Sequence, residues 1–260
     1  MFFDSVKKAL LNDNPFEKTK QVESIYQDVI TDDIHLLQHD SIDCIEIPGR
    51  PVAPELVQPS KVARRKLNSL QGRIALIHAI CHIEFNAINL ALDACYRFQS
   101  MPQQYYVDWM RVAFEESKHF LLLQRRLEQL GSYYGELTAH NGLWEMAIKT
   151  QHSIVERMAL VPRVLEARGL DVTPGMIKRL EAVGDHETIE ILKIILREEI
   201  GHVEIGTHWF RYACEQLQLD SEETFIELLK QYNVSVGVGP LHMDARQKAG
   251  FSASELEALG

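Results

Sequence analysis

Cysteine is scarce in this chain. The four present, Cys44, Cys81, Cys95 and Cys214, stand far apart and form no C-x-x-C pair. That argues against structural zinc of the ribbon or finger type, and against the disulfide framework that small secreted domains need. Positive charge is also in short supply: 27 Lys and Arg face 37 Asp and Glu, a formal charge of -10. A net acidic surface repels phosphate backbones, so nucleic acid is disfavoured as a partner except as a specific substrate of a local basic pocket. No stretch approaches the roughly 18 uncharged apolar residues of a membrane span. The opening MFFDSVKKALLNDNPFEKTK carries Asp4, Lys7 and Lys8 where a signal peptide needs an unbroken apolar run. A cytoplasmic protein with no membrane partner is expected.

What the chain does have is apolar material, 46% of 260 residues, enough for a sizeable core. Its pattern divides the sequence in three. Residues 1–66 read as an arm with short helices near Asp4–Leu11 and Lys20–Thr31. The arm ends in IEIPGRPVAPELVQPSKVARRKL, whose four prolines favour extended backbone. Residues 67–219 turn to helical spacing, with long helices over roughly 70–98, 103–131, Leu143–Arg168 (interrupted by Pro162) and Asp185–Gln218. Between the last two, Thr173-Pro174 reads as an N-cap and first helical residue, starting a short helix that ends near Gly184. Residues 220–260 form a tail: a helix over Glu222–Tyr232, the strip VSVGVGPLHMDARQKAGF, and a terminal helix with the capping-box spacing Ser252-x-x-Glu255. The fold class expected is all-α, a four-helix bundle with an extended N-terminal arm and a C-terminal tail that wraps one end or closes it as a lid.

Polar residues on apolar stripes carry the functional information. Glu116 and His119 share a face of the second long helix with Val112 and Leu123. Glu199 and His202 repeat the arrangement on the fourth, among Leu192, Ile195, Val203 and Trp209. A carboxylate turned into a core costs several kcal/mol unless a cation or proton compensates it. Two inward Glu-x-x-His pairs, with one further Glu from each of the other two helices, form the ligand set of a di-metal carboxylate site. The first helix offers Glu84, 32 residues before Glu116. The third offers Glu166, 33 residues before Glu199, or Glu156, 43 residues before it. The matched spacing favours Glu166, as does its stripe of Val155, Ala159, Pro162 and Leu170. Glu156 has Lys149, His152, Ser153 and Arg163 on its face, as a solvated glutamate would. Gly169 leaves the aim of Glu166 uncertain, because it can end the helix one turn on.

The pairing Glu84…Glu116-x-x-His119 and Glu166…Glu199-x-x-His202 resembles the ferritin-like di-iron carboxylate superfamily. The stretches HAICHIEFNAINLALD, VAFEESKHFLLL, MALVPRVLEARGLDVTP and LREEIGHVEIGTHWF, with PGRPVAPELVQP and ARQKAGF, are similar to a bacterial family of ferritin-like proteins of unassigned activity. LEARGLD also resembles the third-helix motif of di-iron tRNA hydroxylases, in which the Glu of Glu-Ala-Arg, here Glu166, binds iron. The resemblance implies a ferritin-like bundle with two Fe, or Mn and Fe, ions.

Carboxylate and imidazole donors suit iron or manganese. The expectation is an oxygen-dependent oxidoreductase, a hydroxylase or oxidase acting on a small-molecule or modified substrate. The alternative is iron oxidation and storage. No glycine-rich dinucleotide fingerprint is present, so a separate electron donor is expected, and the assembly expected is a monomer or small homo-oligomer. Of the remaining polar residues, His78 and His82 read as hydrogen-bonded histidines, with a second metal site the alternative. Glu115 and Glu198 read as flanking groups, and Arg168 as a carboxylate-orienting group or an ion pair at the helix end. Tyr105 and Tyr106 lie too far along the helix for a radical role, and Cys81 and Cys95 read as core residues.

Overall fold

A computed structural model of the chain describes residues 1–31, 35–39, 41–62, 65–234 and 239–259. Its helices are α1 (Phe2–Leu10), α2 (Pro15–Ile30), α3 (Leu70–Arg97), α4 (Gln103–Gln129), α5 (Gly142–Lys149), α6 (Ile154–Leu160), a π-helical turn over Val161–Glu166, α7 (Ala167–Glu181), α8 (His186–Gln216), α9 (Ser221–Gln231), α10 (Met243–Lys248) and α11 (Ala253–Leu259). Among the described residues the extended pairing is limited to a parallel bridge between Leu56 and Ala139, so the chain is all-α as expected. Helix starts follow local chemistry. Ser69 accepts from the Gly72 amide, Asp185 from Thr188 and Asp220 from Glu223, each satisfying an amide that the helix leaves open. At α11, Ser252 Oγ accepts from the Glu255 amide at 3.2 Å and Glu255 Oε2 accepts from the Ser252 amide at 2.9 Å, closing the expected capping box. Residues 63–64 of the proline-rich arm and 235–238 of the glycine-containing strip lie outside the described residues.

The chain divides into two units, Met1–Glu145 and Met146–Gly260. In the first, α3 and α4 form a hairpin closed by the short turn Phe98–Pro102, with α1 packed on α3 and α2 on α4. Among the described helices, α3 is long and apolar enough by composition to cross a membrane, but 72% of that stretch is buried, as in a core helix. Lys18 of α2 is buried, and its Nζ donates to the carbonyls of Ala9 and Leu10 at the end of α1 and to Asn89 Oδ1 of α3 at 2.6 Å. Burial pulls its ammonium down to about 7, and the three acceptors offset that cost. At Gly49 the arm is tied to the end of α1: the Gly49 amide donates to Leu10 O at 2.8 Å, and a Cβ there would lie 2.3 Å from the Leu11 carbonyl carbon. Trp144 Nε1 donates to Glu46 O at 2.9 Å.

The histidines of α3 are built into this unit as acceptors and stacking groups, as the hydrogen-bonded reading anticipated. His78 Nε2 accepts from the amides of Gly135 and Leu137 at 3.0 and 3.4 Å, and its ring stacks on Tyr134. His82 lies beside the Tyr134 hydroxyl and the His140 carbonyl at 2.9 and 3.1 Å. Burial pulls both imidazoles down to about 4.

The second unit departs from the sequence reading along its first long helix. A helix over Leu143–Arg168 was expected; the chain instead breaks after α5. Thr150 Oγ1 turns back onto the Met146 carbonyl, Ser153 caps a new helix, and buried Arg157 donates to Ala147 O and Thr150 Oγ1 across the break. Pro162 has no amide to give the preceding turn, and the helix widens into the π turn there. It then continues through Gly169 and Pro174 to Glu181, so Thr173-Pro174 does not start a helix. An interior proline costs a helix about 3 kcal/mol. Here that is offset by burial of Leu170, Thr173 and Leu180 and by Arg246, which reaches α7 from α10. The same π turn overturns one assignment: Arg163, read as a neighbour of solvated Glu156, is 0% exposed. An extra residue in a turn rotates all that follows by about 100° relative to a regular helix. α8 packs against α6, the π turn and α7.

Two predictions follow from this packing. A Cβ at Gly206 of α8 would stand 2.4 Å from Pro162 Cβ, whereas Gly201 has open space. Gly206→Ala should therefore destabilise by about 1–3 kcal/mol in urea unfolding, and Gly201→Ala should stabilise by about 0.5–1 kcal/mol. His78 is neutral when folded and titrates near 6.5 when unfolded, so the unfolded chain takes up the extra proton and stability falls as pH drops from 6.5 towards 4. The share of this residue is about 1–3 kcal/mol. His78→Gln, which keeps an acceptor, should flatten that part of the profile in denaturant titrations across this range.

Candidate metal centre

In the first unit, the apolar stripe of α3 carries Glu84 inward among Ile77, Ile80, Ile88 and Ala91, all buried. The stripe of α4 does the same for Glu116 and His119 among Val112, Phe120 and Leu123. The three polar side chains meet. His119 Nδ1 lies 3.2 Å from Glu84 Oε2 and 3.3 Å from Glu116 Oε2, and donor atoms of all three fall within 4.8 Å of one another. None is more than 3% exposed. Two charges at that separation repel by about 3–4 kcal/mol at an effective dielectric of about 20. Burial, then the charge of Glu116, push the Glu84 carboxyl well above its usual range, while His119 pulls the other way. A divalent cation removes this conflict, and carboxylate oxygens with an imidazole nitrogen are donors that hold one. The trio could hold a metal ion. The number and identity of ions are not set by these side chains.

The second unit repeats the pair. Glu199 and His202 stand on the buried stripe of α8 with Leu192, Ile195 and Val203, His202 Nδ1 lying 3.6 Å from Glu199 Oε2. Glu166 is the last residue of the π turn, and its Oε2 is buried. Glu156 has other commitments: the Tyr232 hydroxyl donates to it, and His152 lies 3.3 Å away.

Position along the helices separates the two glutamates further. In the first hairpin, Glu84 and Glu116 each stand thirteen residues from the turn that joins α3 to α4, so they are level. In the second, Glu199 stands thirteen residues from the start of α8 and Glu166 fifteen from the end of α7, an offset of about 3 Å. Glu156 would be ten residues further still, about 18 Å out of register with Glu199.

The flanking residues fall where their phase puts them. Glu115 pairs with Arg111 at 3.0 Å and Glu198 with Arg197 at 3.2 Å. Arg168 is exposed on α7, away from the carboxylate-orienting role considered for it. Tyr105 and Tyr106 are buried at the start of α4 and donate to the carbonyls of Ala94 and Phe98. Cys81 and Cys95 are buried, and burial raises both thiols well above their usual range. Sequence reasoning missed the buried cations of the second unit, Arg157, Arg163 and Arg246. Their only signal is position on or near an apolar stripe, which in a regular helix reads as a surface arginine lying along it.

Comparison with known proteins bears on the whole length. The profile of a protein family described as of unknown function, DUF455, matches residues 11–257. A relative from Haemophilus influenzae, named as an uncharacterized protein, is 44% identical over 267 residues, covering 98% of this chain and 92% of the relative. No solved structure matches the chain. The match takes in both units and every residue from Glu84 to His202, and the chain belongs to the DUF455 family of unknown function.

Proposed function

We propose that Glu84, Glu116, His119, Glu166, Glu199 and His202 hold one pair of iron or manganese ions, and that the protein is an oxygen-dependent oxidoreductase, a hydroxylase or oxidase. The observation that carries the reading is the repetition: each unit turns a Glu-x-x-His pair into its own core, and in the first a third carboxylate touches it. In this reading α3, α4, the α6–α7 stretch and α8 are the four helices of a ferritin-like bundle, in a cytoplasmic protein served by a separate electron donor. Four carboxylates balance the charge of two divalent ions, which is what allows such a set in an apolar interior. A bound reduced di-metal centre supplies oxygen activation. The chain's own part is orientation and exclusion of water. Ile80, Ile88, Val112 and Leu123, at helical spacing from the Glu84–Glu116–His119 trio, are buried with it, and a low dielectric around it would strengthen each donor–cation attraction.

The test is metal analysis of the purified full chain after loading with Fe(II) or Mn(II) under anaerobic conditions. About two ions per chain are expected. Glu116→Ala and His202→Ala should each lose most of the bound metal, by at least about tenfold in affinity. Full retention in both variants defeats the assignment. A large hollow shell in size-exclusion chromatography would move the reading to iron storage.

A further inference from the structure

The C-terminal segment of the second unit is fastened by buried charged groups, and the fastenings fall on either side of Glu166. Three residues before it, Arg163 is fully buried: Nη2 donates to Glu255 Oε1 of α11 at 2.7 Å and Nε to Thr207 Oγ1 of α8 at 3.2 Å. Its guanidinium lies 4.1–4.7 Å from the ring centres of Phe210, Phe225 and Phe251. One and five residues after Glu166, buried Arg246 of α10 reaches the Ala167 carbonyl at 3.4 Å and grips Asp171 at two points, 3.0 and 2.7 Å. The His242 amide adds a bond to Asp171 at 2.8 Å. Phe251 joins the two fastenings, its ring lying against both guanidiniums.

Buried ion pairs are poor devices for stability alone, since apolar residues of similar volume do as well. Their directional bonds are suited to fixing a register. The π turn needs one fixed, because it competes with an ordinary α-helical turn, and that exchange would swing Glu166 round the helix by about 100°. We propose that Arg163–Glu255 and Arg246–Asp171 are positioning pairs that hold the π register of Val161–Glu166, so that the C-terminal tail keeps the Glu166 carboxylate turned inward for metal. The inference rests on the reading of Glu166 as a ligand.

The test uses the full chain with Co(II) as probe, read by calorimetry and by the visible absorption of the bound ion. Glu255→Gln, which keeps the shape and the bond from the Ser252 amide, should weaken one of two bound ions by roughly 10–100-fold and shift its absorption band. The other ion and the far-ultraviolet circular dichroism should be unchanged. Asp171→Asn should do the same from the other fastening. Glu166→Gln should reproduce the loss, and the double variant Glu255→Gln/Glu166→Gln should bind no worse than Glu166→Gln alone, because both act through one carboxylate. Without metal, amide exchange across residues 163–168 should speed up in Glu255→Gln. Unaltered Co(II) binding in both Glu255→Gln and Asp171→Asn, with only a lower Tm, would overturn the positioning role and leave the metal reading standing. No Co(II) binding by the unsubstituted chain would overturn both.

Discussion

Two carboxylates and one imidazole meet in the interface between α3 and α4, and the first unit is organised around tolerating them. Glu84, Glu116 and His119 are all but sealed from water, and Glu84 is driven towards its protonated form by burial and by its neighbour's charge. A proton shared within the trio is one way to hold such a set, and a cation is the other. Either demands that the two helices cannot slide, since a displacement of one residue moves a donor by about 1.5 Å. The hairpin meets that demand with a short connecting turn, glutamates level with each other, and tyrosines at the start of α4 bonded to the carbonyls that end α3.

The treatment of the other buried charges makes the trio stand out. Lys18 has three acceptors for its three protons. Asp93 is bound by Arg97 at 2.7 Å, Arg246 by Asp171, and Arg163 by Glu255. Each of these is a cation matched by acceptors or by an anion of its own. In the trio, acids outnumber the imidazole two to one, and a second Glu-x-x-His pair is buried in the other unit. Metal binding is the role proposed for this composition.

Much of this was legible in the sequence because it is periodic. The extents of α3, α4 and α8 follow from apolar spacing, and the inward aim of Glu84, Glu116, His119, Glu199 and His202 follows from the phase of the same stripes. The stretch from Leu143 to Gly184 was misread because its deviations are not periodic. Pro162 widens a helix, with Gly206 of α8 leaving room for its ring, and Pro174 fails to stop one. Arg163 was misplaced for the same reason: helical phase computed through a π turn is wrong by one residue from that point on.

The two hairpins thus bring the glutamates proposed as ligands to similar levels by different means. The first uses regular helices, for which phase alone directs Glu84. The second directs Glu166 from a π turn, for which an ordinary α-helical turn is the competing form. Pro162 biases that competition by lacking an amide, and Gly206 lets α8 approach closely enough to seat the proline ring. Neither specifies which way the glutamate faces. In the role proposed above, the arginine bonds before and after it do: Arg163 and Arg246 each hold a carboxylate at 2.7 Å, and a rotation of the turn would carry Arg163 away from Glu255 among the rings of Phe210, Phe225 and Phe251. The charged fastenings of the tail lie on the stretch that carries Glu166.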